Sequence, residues 1–198
     1  MVISGWILAG GMSSRMGRDK ALLPIGSHTL IELVVQRLRP LVERMVIIGN
    51  AHNLQRLRDT LLADAILTDV EPGYGPLMGI YTGLMYTETL LNVFVPCDMP
   101  WVERGLIDRL VYRCRQGVEV TASLHPVEGI QPFPLVCQTT ATWRIGALLD
   151  RGERSLQVLF QQPGAQLIEI NEPDLWRSFM NVNTVADYAK FTEATVTR

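Results

Sequence analysis

An α/β fold of three layers, with helices on both faces of a mostly parallel sheet, is what the apolar spacing of this 198-residue chain encodes. Two observations carry that expectation. Short apolar runs alternate with segments whose apolar residues recur at helical spacing, the rhythm of strand–helix–strand crossovers. The runs are continuously apolar, as strands covered on both faces should be.

The elements follow in order. Val2–Leu8 is an apolar run that ends at Gly10-Gly11. Thr29–Leu38 has helical spacing, with Leu30, Leu33, Val34 and Leu38 on one side, and Thr29 and Glu32 stand three apart as in a capping box. Arg44–Gly49 holds the buried-strand run Met45-Val46-Ile47-Ile48. Asn53–Leu62 reads as a helix, Ala65–Thr68 as a strand, Leu77–Thr89 as a helix, Asn92–Pro96 as a strand and Glu103–Arg115 as a helix. From Glu119 the rhythm changes to an α+β pattern. Val120–Leu124 and Phe133–Gln138 read as close strands, Thr140–Asp150 and Ser155–Phe160 as helices, Leu167–Ile170 and Phe179–Val182 as strands, and Val185–Phe191 as a closing helix. We expect a single domain over 1–198, with a regular strand–helix half at 1–118 and an α+β half at 119–198.

Composition narrows the function. Hydrophobic residues make up 47% and charged residues 19%, a globular balance. The net charge of -2 gives no basic excess for long nucleic acid, so no nucleic-acid partner is expected. Cys97, Cys114 and Cys137 are odd in number, widely spaced and without a CxxC pair, which fits a reducing, cytoplasmic setting. His28, His52 and His125 lack zinc spacing. No stretch reaches the ~20 apolar residues of a membrane span.

Open α/β sheets bind ligands beyond the carboxyl ends of their strands. Polar or glycine signals follow each of the first four predicted strands: Gly10-Gly11, Gly49-Asn50, Asp69 and Asp98. Gly10 and Gly11 allow close backbone approach, and successive N–H groups there can cradle phosphate oxygens. Arg15 and Lys20 bring two cations to the same loop, suited to a triphosphate. The loop matches neither GxxxxGK[ST] nor GxGxxG. Asp98, directly after a buried strand, suits a hard cation such as Mg²⁺, or else caps a turn at Asp98-Met99-Pro100. Asp69 stands in ordinary turn composition as well. Gly75-Pro76-Leu77 opens a helix whose first N–H groups face either an anion or base edge, or nothing but the entrance itself. Asn181 and Asn183 support the metal or acceptor side, or form a strand-to-helix turn.

Leu8-Ala9-Gly10-Gly11 with Arg15-Met16-Gly17 and Asp19-Lys20 resembles the signature of nucleotidyltransferases with a glycosyltransferase-A-like, Rossmann-like fold, also called nucleotide-diphospho-sugar transferase-like. Thr68-Asp69, Gly75-Pro76-Leu77-Met78-Gly79, Pro96-Cys97-Asp98-Met99-Pro100 and Asn181-Val182-Asn183-Thr184 follow in that group's order. Over nearly the whole chain the pattern is similar to molybdenum cofactor guanylyltransferases of the MobA type. The resemblance implies transfer of GMP from GTP to a molybdopterin-type cofactor, giving the guanine dinucleotide form and pyrophosphate. It implies that Leu8, Ala9 and Gly10 line the nucleotide site, Lys20 binds phosphates, Asp69 contacts the nucleoside, Asp98 holds Mg²⁺ and Arg15 helps neutralise the triphosphate. Gly11, Pro76 and Leu77 join the nucleotide-binding set. Transient contact with cofactor-handling proteins is a further expectation. Relatives often carry His-Pro before a late strand, where this chain has Gln131-Pro132, and an Asn near the second strand's end, where this chain has Gly49-Asn50. The same motifs leave open a cytidylyl or sugar-phosphate nucleotidyltransferase, or a non-catalytic nucleotide- or cofactor-binding protein.

Overall fold

A computed structural model describes residues 2–10, 19–60, 62–70, 74–183 and 187. The elements are β1 (Ile3–Leu8), β2 (Pro24–Ile25), β3 (His28–Thr29), α1 (Leu30–Leu38), β4 (Arg44–Gly49), α2 (Leu54–Asp59), β5 (Ala65–Thr68) and α3 (Pro76–Tyr86). There follow β6 (Leu91–Pro96), α4 (Arg104–Arg115), β7 (Val120–His125), β8 (Gly129–Gln138), α5 (Ala141–Asp150), α6 (Leu156–Phe160), β9 (Ala165–Glu169) and α7 (Pro173–Trp176). A seven-stranded sheet runs β5-β4-β1-β6-β8-β7-β9. Its pairings are parallel except those that β8 makes with β6 and β7.

The strands are apolar on both sides because both faces are covered. Trp6 and Ile7, adjacent in β1, point opposite ways. Ile7, Met45, Ile47, Val93 and Val95 pack beneath Leu38 of α1 and Leu106 and Leu110 of α4. Trp6, Val46, Ile48 and Phe94 pack beneath Leu77, Ile80 and Leu84 of α3 and Ile145 and Leu148 of α5. The rings of Trp6 and Phe94 stack at 5.9 Å, and the Trp6 indole N–H donates to Asn92 Oδ1 at 3.0 Å, so the buried ring is polar-satisfied. At α1 the capping box forms, with Glu32 accepting from the Thr29 backbone N–H.

Several elements differ from expectation: β8 begins at Gly129 instead of Phe133 and so contains Gln131-Pro132, and α7 forms where no element is expected. The helix predicted over Asn53–Leu62 is only Leu54–Asp59: Asn53 stands at the N-cap with its side-chain amide donating to Ala9 O, and Thr60 ends the helix with its hydroxyl donating to Leu57 O. The strand predicted at Phe179–Val182 does not form. Residues 177–179 make a 3-10 turn, and Val182 gives one backbone hydrogen bond, to the Asp98 carbonyl at 3.0 Å, instead of a ladder. The small β2–β3 hairpin, turning at Gly26 with φ +59°, has strands too short to leave a periodic signal. The closing helix predicted at Val185–Phe191 lies outside the described residues except for position 187, which is helical. No helix among the described residues is long and apolar enough to cross a membrane.

Candidate active site

Parallel pairing aligns the carboxyl ends of four strands. Leu8 pairs with Ile48 and with Pro96, and Gly49 pairs with Thr68. Gly10, Asn50, Asp69 and Asp98 therefore emerge along one edge of the sheet, each one or two positions past its strand. Ladder bonds run on past the strand ends, from Ala9 N to Ile48 O (2.7 Å) and from Cys97 N to Leu8 O (3.0 Å).

An asparagine pair fixes the start of the glycine loop. Asn53 is 1% exposed; its amide donates to Ala9 O at 2.9 Å and its Oδ1 accepts from Asn50 N at 2.8 Å. Asn50 Nδ2 donates to Gly10 O at 3.1 Å. Gly49 has to lack a side chain here, since a Cβ would stand 2.6 Å from Asn53 Oδ1. Asn53 escapes the sequence reading because it counts there only as the first residue of a helix; the side chain instead anchors a loop far away in sequence.

Lys20 begins a 3-10 turn capped by Asp19, whose carboxylate accepts from Ala21 N at 3.0 Å. Its ammonium donates to Asp98 Oδ2 at 2.6 Å and to Asn183 Oδ1 at 2.8 Å. The side chains of Lys20 and Asp98 are 15% and 19% exposed. Asn183 is brought in because Val182 is tied to the Asp98 backbone and because Asn183 N donates to Asp187 at 3.0 Å. Two predicted residues from distant parts of the chain, Asp98 and Asn183, thus converge on the Lys20 ammonium. Asn181 is exposed and stands outside that network among the described residues. Arg15 and Gly11 lie outside the described residues.

Asp69 reaches back from β5 toward the glycine loop. A methyl at Gly10 would come within 3.2 Å of Asp69 Oδ2, and one at Gly79 within 3.5 Å of Oδ1. Oδ1 is buried with no hydrogen-bond partner among the described residues. Burial pushes the Asp69 carboxyl up to about 6. A half-buried acidic group with an unsatisfied acceptor, facing two glycines, is equipped to receive N–H donors from a ligand.

Gly75, at φ +74°, turns the chain into α3, with Pro76 and Leu77 as its first residues. Leu77 is fully buried and packs in the core, so only its backbone can face a ligand, whereas Pro76 is exposed. Leu8 and Ala9 lie at the carboxyl end of β1, with Leu8 against Gly79. Cys97, although next to Asp98, is packing: burial drives its thiol pKa far up, away from the reactive thiolate.

The MobA-like NTP transferase domain matches residues 5–166. The chain belongs to that family. It is a nucleotidyltransferase with the nucleotide-diphospho-sugar transferase fold. A molybdenum cofactor guanylyltransferase of Serratia proteamaculans is 35% identical over 187 residues, 93% of this chain and 91% of that protein. The solved molybdopterin-guanine dinucleotide biosynthesis protein A of Archaeoglobus fulgidus superposes with a TM-score of 0.84 at 20% identity, over 98% of this chain and 100% of that one. A 4-diphosphocytidyl-2C-methyl-D-erythritolsynthase of Anaerococcus prevotii superposes at 0.77 with 12% identity, over 100% of this chain and 96% of that one. One fold therefore serves enzymes named for different bases, and base choice has to be argued from side chains.

Proposed function

We propose that this nucleotidyltransferase moves GMP from GTP onto the terminal phosphate of a molybdenum-loaded molybdopterin cofactor, releasing pyrophosphate with Mg²⁺ dependence. The observation that carries the reading is the convergence of Lys20, Asp98 and Asn183 beside the Gly10 loop. Relatives at this level of identity are named for that activity. We take 1–198 as one domain, its 1–118 half holding the nucleotide and its 119–198 half the acceptor.

The donor set fits a hard divalent ion. Asp98 offers a carboxylate and Asn183 an amide oxygen, and both already approach a single positive charge. Mg²⁺ takes one or two carboxylate-type protein oxygens and fills its remaining positions with phosphate and water. Bound there, Mg²⁺ would supply charge neutralisation to phosphate oxygens.

The chain's own residues do the rest. Lys20, with Arg15, offsets the charge of the β- and γ-phosphates. Leu8, Ala9, Gly10 and Gly11 shape the floor of the nucleotide site, and Asp69 with the Pro76-Leu77 end of α3 faces the nucleoside. An acceptor phosphate oxygen attacks the α-phosphorus in line; the bond from the α-phosphorus to its bridging oxygen breaks and pyrophosphate leaves with that electron pair. The nucleophile is already anionic, so the work is positioning and charge stabilisation. Pyrophosphate release from each of the four NTPs, with Mg²⁺ and molybdenum-loaded molybdopterin, tests the reading. Release with GTP alone supports it; release with CTP moves the protein to a cytidylyl branch; nucleotide binding without any release refutes transfer to this acceptor.

A further inference from the structure

Arg154, which no sequence motif singled out, is folded over the entrance to α3. Its guanidinium lies 4.5 Å from the centre of the Tyr74 ring. Its backbone carbonyl faces Gly75, where a Cβ would stand 3.6 Å away. Stacking occupies the flat face of a guanidinium and leaves its N–H groups free to bond in the plane. No carboxylate among the described residues forms an ion pair with it, and the residue is exposed at the rim.

Asp69 stands at the next level of the same helix turn, beside Gly79. Gly75 and Gly79 are four residues apart, which is about 6 Å along a helix axis. Ionised Asp only accepts hydrogen bonds, and Arg only donates them. Guanine presents N–H donors at N1 and N2 along one edge and acceptors at O6 and N7 along the adjoining one. Adenine places an amino donor where guanine has O6, so a guanidinium there would meet donor with donor. The phosphate charges are provided for elsewhere, by Lys20 near the end of β6, which leaves Arg154 on the base side.

We propose that Arg154 is a specificity-determining residue that donates in its guanidinium plane to O6 and N7 of guanine, held in pose by Tyr74, while Asp69 accepts from N1 and N2. This rests on the GTP reading given above and explains how the site would choose its base.

The test is calorimetric binding of GTP and 7-deaza-GTP, in which N7 is replaced by a carbon, to the full chain with Mg²⁺. Wild type and Arg154→Ala are compared, with thermal unfolding to confirm the fold, and Arg154→Lys as the conservative variant. Wild type should bind GTP about 10-fold tighter than 7-deaza-GTP, and Arg154→Ala should lose about 10-fold on GTP. The variant should no longer distinguish the two nucleotides. Arg154→Lys keeps the charge but not the fork, so it should resemble the alanine variant. Equal binding of both nucleotides by wild type, or an undiminished preference for GTP in Arg154→Ala, overturns the proposal. If GTP binds with the expected N7 dependence but no pyrophosphate is released with the acceptor, the transfer reading fails and the base contact stands. If GTP does not bind at all, both fall.

Discussion

Lys20 and Asp98 form an ion pair of 2.6 Å across 78 positions of sequence, and Asn183 closes on the same ammonium. The pair neutralises in advance two charges that a triphosphate and its metal would each demand. Removing either partner should therefore damage chemistry more than fold. Lys20→Ala and Asp98→Ala should each lower kcat by about 10²-fold or more, as removal of a transition-state charge partner does. Lys20→Arg should not restore the rate, because a planar fork does not replace a compact ammonium between two oxygens. Steady-state pyrophosphate release with circular dichroism alongside checks this; near-normal turnover in either alanine variant sinks that residue's role.

Gly10 and Asp69 are a steric couple. A methyl at Gly10 would meet Asp69 Oδ2 at 3.2 Å and the Gly49 carbonyl at 3.4 Å, so one of them must give way. Gly10→Ala should weaken GTP binding by about 10-fold while costing about 1 kcal/mol of stability, since loop backbone can shift. Combined with Asp69→Ala, the loss of binding should be less than the product of the single losses, because both act on one contact. Multiplicative effects in the double variant would separate the two residues.

Ionisation of Asp69 gives a pH prediction with a definite sign. The folded chain keeps this proton up to about pH 6, while the group's ordinary value is 3.8. Between those limits the unfolded chain binds fewer protons, so this group's contribution to stability falls as pH rises through that window and is flat above it. Binding runs the opposite way: only the carboxylate can accept from N1–H and N2–H with both of its oxygens, so GTP affinity should rise from pH 5 to 7. Asp69→Asn should flatten both profiles. Urea titrations and calorimetry at pH 5 and 7 measure them, and an unchanged pH profile in the variant would rule the group out.

Much of this site is written in local sequence. Gly10, Asp69 and Asp98 were legible because a buried strand ends abruptly and the residues just beyond it fall on the ligand edge of a parallel sheet, and Lys20 because it shares with Arg15 the loop that opens at Gly10-Gly11. Asn183 could be named but not placed, since its position depends on one backbone bond from Val182 to Asp98 rather than on periodicity. Phe179–Val182 reads as a strand because it is apolar, yet Phe179 and Val182 are buried without a ladder, Val182 being tied to the Asp98 carbonyl beyond the end of β6. Asn53 and Arg154 were invisible for a different reason: each acts through a tertiary partner, Ala9 O and Tyr74, that no local pattern announces.

Asn53 gives a sharp test of how the glycine loop is held. Its amide is buried, donates to Ala9 O at 2.9 Å and accepts from Asn50 N at 2.8 Å. Asn53→Ala leaves a buried carbonyl and a backbone N–H without partners, which costs about 1–3 kcal/mol. The same change frees Asn50, whose amide holds Gly10 O, so loss of stability and loss of nucleotide affinity should appear together. Gly83→Ala is the contrast. A Cβ there would stand 2.6 Å from Phe94, under α3 and away from the strand ends. It should cost about 1–3 kcal/mol by overpacking, with GTP affinity of the folded fraction nearly unchanged. Urea unfolding and calorimetry on both variants would show whether Asn53 couples fold to site: equal affinity losses in the two would mean that it acts only through global stability.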